Sequence, residues 1–421
     1  MAAPRMIYDR KRHAAAHTSE YLFNQLIPYI GNKRRLLGLI QRAMRRTETA
    51  GGTFVDFFAG SGIVSRMAKR LGFRTIANDW EPYAEAINRC YIACNQPPKF
   101  AALGGYGQAI DRLNRLPAKV GWVTEHLCPR DDERYDIEID RMFYMRKNGM
   151  RIDAMRERIA HWKSDGRISE LEEACLLAPL VYQACYRSNT SGVFKGFHNG
   201  WGGQTRTALY RIATDLALDV PVFHDNGLEN EVFREDAQTL AERLSPREVE
   251  IAYLDPPYNQ HPYGSNYHVL NSVVLWDKPS LPRQITRGTK AAIRLDWRTE
   301  RRSRYNYRDE ATAAYRRLME TIRARYLLTS YSTDGMIPLD ELLRSNVERG
   351  RVFVEMQGYK RYRVSSQRFS KKPMNVEFVL VVDTHRKSET SVEELRTAIE
   401  RHESAVLDAH HEHFLEYTTE R

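Results

Sequence analysis

The chain alternates short apolar runs with amphipathic stretches, and Ile251-Ala252-Tyr253-Leu254 is sharply bounded. Charged Glu248 and Glu250 precede that run, and Asp255-Pro256-Pro257-Tyr258 ends it, which predicts a buried strand of an α/β sheet. Similar runs predict strands at 53–58, 73–77, 232–237, 326–331, 352–356 and 376–382. Leu36, Leu37, Ile40 and Met44 fall on one helical face, and further helices are expected from Ile63, over 83–94 and over 311–325. Residues 99–227 break this rhythm. There 133–162 and 168–187 read as mainly helical, with Gly166 as a break. From Tyr186 to Gly203, glycine, aromatic, amide and basic residues interleave without a period. Residues 388–421 read as a helical tail, and no internal repeat or low-complexity tract is evident.

A chain of 421 residues can bury a sizeable core and is expected to hold two domains. With 42% hydrophobic and 28% charged residues it reads as soluble and globular. No apolar run approaches the roughly 20 residues needed to span a bilayer, and the N-terminus lacks the apolar centre of a signal peptide. Five cysteines without paired spacing predict a reducing cytoplasm. Cys90 and Cys94 read as core residues, and His410, His411 and His413 as a solvated helix end, so no metal is expected.

The charge pattern changes the picture more than the total of +10. Residues 1–46 hold ten basic residues against two acids, and residues 283–308 hold nine against two. Residues 360–372 carry six basic residues and no acid, whereas the tail is acidic. Three basic blocks suit a polyanion, although solvated surface would produce the same composition.

Candidate chemistry concentrates at strand ends. A carboxylate, a carbonyl freed by proline and an aromatic face at 255–258 suit a planar group bearing an NH2, such as a nucleobase. A plain strand-ending turn is the competing reading. Phe58-Ala59-Gly60-Ser61-Gly62 is a glycine-rich strand-to-helix turn, too short for the dinucleotide fingerprint. Asp79 follows the glycines by about 20 residues, at a spacing that suits ribose hydroxyls and so an adenosine-containing cofactor. Gly31-Asn32 followed by Lys33 suits an anionic group or is an ordinary capping turn. Arg187, Asn189, Lys195 and Asn199 lie in or beside the aperiodic loop, which could serve nucleic acid or be a structural Ω-loop. Arg301, Arg302 and Arg304 belong to a stretch expected to be either a mobile arm that orders on DNA or a solvated loop. Lys360 and Arg361 open the third basic block.

In this order, Pro28-Tyr29-Ile30-Gly31-Asn32-Lys33, Phe58-Ala59-Gly60-Ser61-Gly62, Asn78-Asp79 and Asp255-Pro256-Pro257-Tyr258 resemble the D12 class of DNA adenine-N6 methyltransferases, the Dam-like alpha group. Leu328-Thr329-Ser330-Tyr331 and Tyr359-Lys360-Arg361-Tyr362 are weaker matches. The resemblance covers most of 21–96 and 228–383. It implies a Rossmann-like α/β fold dependent on S-adenosylmethionine, with 1–98 and 228–385 as the catalytic domain. A largely helical target-recognition domain would be inserted at 99–227, and 386–421 would form an acidic tail. Tyr29, Gly31, Lys33, Phe58, Gly60, Gly62, Asp79, Asp236 and Asp255 would serve the cofactor. Asp255, Pro256, Pro257 and Tyr258 would carry catalysis, with Tyr258 stacked on a flipped adenine. Double-stranded DNA is the expected partner, in the cytoplasm and on the nucleoid, within a restriction-modification or defence system that could include a cognate endonuclease. The same residues admit an RNA adenine-N6 methyltransferase or a non-catalytic DNA-binding subunit. A cytosine-N4 enzyme fits less well, since such enzymes usually carry Ser in place of Asp255.

Overall fold

The computed structural model describes residues 20–360 and 374–419, with side chains left aside at 360 and 410–419. Lys360 as a side chain, Arg361, and the tail histidines His410, His411 and His413 therefore lie outside the described residues.

Seven strands form one mixed sheet in the order β3-β2-β1-β4-β5-β7-β6. These are β1 (Thr53–Asp56), β2 (Arg74–Asn78), β3 (Glu231–Phe233), β4 (Val249–Leu254), β5 (Ala324–Ser332), β6 (Arg351–Lys360) and β7 (Met374–Asp383). The pairs β1 with β4, β4 with β5, and β2 with β3 are parallel. The pairs β5 with β7 and β6 with β7 are antiparallel. Burial on both faces explains the continuous apolar reading of β4, where five of six residues are buried.

The described residues fall into two compact units. One takes in the chain up to Asn32, Ala59–Arg234 and His261–Arg302; the other takes in Lys33–Phe58, Glu235–Gln260 and the described residues from Ser303 onward.

In the first unit, helix Ile63–Arg70 starts at the expected residue, and helix Pro82–Asn88 runs into a π-helical turn at Arg89–Ala93. Helix Glu170–Tyr186 begins with a reciprocal capping box between Ser169 and Glu172. The helix expected from residue 133 begins only at Arg146, because 133–145 folds as turns braced by Asp131, Asp132 and Asp136. Those turns help build a small core of Met142, Trp201 and Ile212, joined by Tyr135, Ile137 and Phe197.

In the second unit, helices Leu37–Arg45 and Val392–Thr419 pack against β7. The face of the first buries Leu39, Ile40, Ala43 and Met44, as an apolar stripe at helical spacing must.

Among the described residues, no helix is long and apolar enough to cross a membrane. No three His, Cys, Asp or Glu side chains there gather as a metal-binding group.

Candidate active site

In the second unit, β4 hands the chain directly to Asp255, beyond the carboxyl end of an interior strand. Lys33, from the one-turn helix Lys33–Leu36, places its Nζ 2.9 Å from Asp255 Oδ1. The lysine is 3% exposed and the aspartate 15%. Lys33 also donates to the Tyr258 hydroxyl at 3.2 Å and lies 4.9 Å from that ring's centroid. Tyr331 meets Tyr258 edge-on at 5.5 Å.

Burial alone would lower the Lys33 pKa, but Asp255, Tyr258 and Glu377 together hold it well above its ordinary value. Burial pushes the Asp255 carboxyl up, against the pull of Lys33. Phe58 packs against the edge of Tyr305, at 5.3 Å and 86°. Asp236 caps helix Ala237–Leu244, accepting from the Gln238 amide at 2.9 Å.

In the first unit, Tyr29 sits in an aromatic stack, 5.1 Å from Tyr263 and 4.8 Å from Tyr267. The Tyr83 hydroxyl donates to that of Tyr29 at 3.1 Å. Gly60 and Gly62 have φ of +51° and +77°. A Cβ at Gly62 would lie 2.3 Å from Asn88 Oδ1, and one at Gly60 would press on the Tyr29 ring at 3.0 Å. Only glycine meets both demands. Asp79 Oδ2 accepts from the Gly60 amide at 2.8 Å, and its Oδ1 accepts from the Glu81 amide at 2.9 Å. Asp79 thus ties the glycine turn to the end of β2. Burial raises its pKa to about 6, against the pull of those backbone donors.

The candidate DNA-contacting residues divide sharply. Lys195, Asn199 and Arg304 are exposed, and Arg187 and Arg302 are partly buried. Asn189 is 0% exposed; its side chain donates to the His198 carbonyl and accepts from the Gly202 amide, bracing the loop from within. Arg301 is equally committed. Its guanidinium is buried against Asp296 at 2.8 Å and Glu81 at 3.5 Å, so it is neither a surface cation nor part of a free arm. Arg294 grips both Asp277 oxygens at 2.7 Å. Arg141 bonds the carbonyls of Pro282, Arg283 and Thr289. The basic stretch expected as an arm or solvated loop is thus fastened through Arg141, Arg294 and Arg301, while Arg283, Arg287, Lys290, Arg298, Arg304 and Arg308 stay exposed.

Two acids were not anticipated. Glu81 is buried, accepts from Asn271 at 2.6 Å, and has its pKa raised to about 7 by burial. Glu377 on β7 is also buried, and faces Lys33 and Asp255. The one available signal for Glu377 was an isolated charge inside an apolar strand run.

A model of the D12 class N6 adenine-specific DNA methyltransferases matches residues 29–315. Modification methylase LlaI of Lactococcus lactis subsp. lactis is 29% identical over 342 residues, 79% of this chain and 51% of that protein. Type II methyltransferase M.NlaIII of Neisseria lactamica is 29% identical over 338 residues, covering 80% of this chain and 92% of that protein. Type II methyltransferase M.FokI of Planomicrobium okeanokoites is 28% identical over 315 residues, 75% of this chain and 46% of that protein. The chain thus spans about half of LlaI and of M.FokI, but nine-tenths of M.NlaIII.

Proposed function

Since the chain belongs to the D12 class of N6 adenine-specific DNA methyltransferases, we propose that it methylates the N6 amino group of adenine at a specific site in double-stranded DNA, as the modification partner of a restriction system. It works in the cytoplasm on nucleoid DNA, and its sheet is the Rossmann-like platform of the family.

S-adenosylmethionine, when bound, supplies a methyl group already activated on a sulfonium. The residues present fit it. Gly60 and Gly62 hold a left-handed backbone turn that a Cβ would strain, and Tyr29 gives an aromatic wall. Asp79 accepts from the backbone of Gly60, Trp80 and Glu81 and keeps acceptor capacity beyond these, which suits ribose hydroxyls. An ammonium has three N–H groups, so Lys33 retains one for a ligand carboxylate after Asp255 and Tyr258. Gly31, Phe58 and Asp236 complete the cofactor set.

The exocyclic amine is a poor nucleophile because its lone pair is delocalised into the ring. Asp255 accepts one of its N–H groups and the Pro256 carbonyl accepts the other, which favours a pyramidal nitrogen with a localised lone pair. Asp255 then stabilises the positive charge that develops on nitrogen. Pro257 stiffens the turn. Tyr258 stacks on the adenine, which must leave the duplex to be reached. Residues 99–227 read the target, with Lys195 and Asn199 exposed to meet DNA and Arg304 exposed to meet phosphate.

The observation that carries this reading is the buried Lys33–Asp255 pair beside Tyr258 at the end of β4. Its test is purified protein with tritiated S-adenosylmethionine, offered duplex DNA and ribosomal RNA in parallel, followed by nucleoside analysis. Label in N6-methyladenine from DNA is expected. Label in RNA alone would move the activity to RNA. No label in either despite cofactor binding would point to a missing partner or target sequence, and no cofactor binding as well would leave a non-catalytic subunit.

A further inference from the structure

Strand β7 carries a single acid in the run Val376-Glu377-Phe378-Val379. Glu377 is 4% exposed and stands in register with Ser332 on β5 and Gln357 on β6. A carboxylate bracketed by strands on both sides is tolerated only where partners meet it. The Tyr258 hydroxyl is one, hydrogen-bonded to the Glu377 carboxylate. The same hydroxyl accepts from Lys33 Nζ at 3.2 Å, and Lys33 holds Asp255 at 2.9 Å. Among the described residues, Glu377 Oε2 is buried without a hydrogen-bond partner.

Building on the roles assigned above to Asp255 and Tyr258, we propose that Glu377 is a positioning residue for methyl transfer, anchoring the Tyr258 hydroxyl and sharing Lys33 with Asp255. A ring tethered at its hydroxyl presents one orientation to the base. A lysine shared between two carboxylates leaves more of the Asp255 charge facing the amine as positive charge develops there. No bond forms or breaks at Glu377.

The arrangement carries a pH signature. Burial pushes Glu377 up to about 7; Lys33 pulls it down, and Asp255 and Asp334 push it up. Among the described residues, these and Tyr258 are the groups with the largest influence on it. Its register neighbours Ser332 and Gln357 do not titrate. On the helix Leu37–Arg45 packed against β7, Arg42 pairs with Glu355, and on Val392–Thr419, Glu403 bonds Thr333. Only ionised Glu377 shares Lys33 fully, so transfer rises with pH through about 7.

The test is single-turnover methylation across pH for the wild type, Glu377→Gln and Glu377→Asp. Duplexes carrying 2-aminopurine at the target, whose fluorescence reads base stacking, provide a parallel measurement. Glu377→Gln is expected to lose the rise near pH 7 and to slow transfer by roughly ten- to a hundredfold, the scale of a small misplacement. It should also alter the 2-aminopurine signal. Glu377→Asp keeps the charge and should recover the pH rise. A Glu377→Gln profile that overlays the wild type would overturn the proposal, and so would loss of activity in both variants with unchanged pH shape and fluorescence. No transfer by the wild type would instead remove the reading on which the proposal rests.

Discussion

Lys33 and Asp255 are the residues on which the chemistry turns, and each is buried largely because the other is present. Replacing Asp255 with alanine would strand an ammonium, and breaking a buried pair in this way costs about 3–5 kcal/mol. Asp255→Asn is the cleaner probe, since it keeps the shape and removes only the charge. It is expected to slow single-turnover transfer by at least about a hundredfold, comparable to loss of one preorganised electrostatic group. Cofactor affinity, read by calorimetry, should survive. An Asn variant with wild-type turnover would end the role given to this carboxylate. The importance of Asp255 was legible in the sequence through the order of the motifs around it, since Asp-Pro-Pro-Tyr alone also reads as a plain strand-ending turn. Its partner was not. Lys33 lies 222 positions earlier, and hydrophobic patterning contains no record of which distant side chains meet.

At the scale of elements, the strand-to-helix turn after β1 depends on two glycines that cannot be exchanged. Gly62→Ala forces a Cβ to 2.3 Å from Asn88 Oδ1 in a left-handed backbone, a conformation costing roughly 1–2 kcal/mol before any clash. A lower melting temperature and weaker S-adenosylmethionine binding are expected together; an unchanged affinity would detach the turn from the cofactor. The 283–308 stretch teaches the opposite lesson. Nine basic residues against two acids suggest a phosphate-binding arm or a solvated loop, but Asp296 within the stretch and two acids outside it hold two of its arginines. Glu81 meets Arg301, and Asp277 meets Arg294. Arg301→Ala should therefore destabilise the fold by about 3–5 kcal/mol, as a buried acid loses its partner. Chemical denaturation would reveal this, and a wild-type midpoint would contradict it. Exposed Arg304 is the better phosphate candidate. Its alanine variant should reduce the slope of log K against log salt by about one, and an identical slope would return it to solvent.

For the whole molecule, three buried acids set a shared dependence on pH. Asp79 is raised from 3.8 to about 6, and Glu81 and Glu377 from 4.5 to about 7, each chiefly by burial. An acid whose folded pKa exceeds its unfolded value binds more protons folded than unfolded between the two. Each such group therefore favours the folded state in acid and loses that contribution as pH rises from roughly 4 to 7. A two-unit shift corresponds to about 3 kcal/mol at most. Glu81→Gln is expected to make the decline of melting temperature between about pH 5 and about pH 7.5 shallower than in the wild type; a parallel decline would sink the assignment. The α/β alternation, the end of β4 at Leu254 and the family motifs were determined by sequence alone, because periodicity and turn chemistry are local properties. By contrast, β1 stops at Asp56, two residues short of the expected end, and β2 runs one residue further, to Asn78. Which charges are buried, and with whom, was decided only by tertiary structure. Glu377 reads only as an isolated charge in an apolar run until β7 is found between β5 and β6 with that side chain buried. Arg301 reads as a surface cation until Glu81 is found beside it. Burial and pairing belong to three-dimensional neighbourhoods, and the energy of a charge depends on its neighbourhood far more than on its place in the chain.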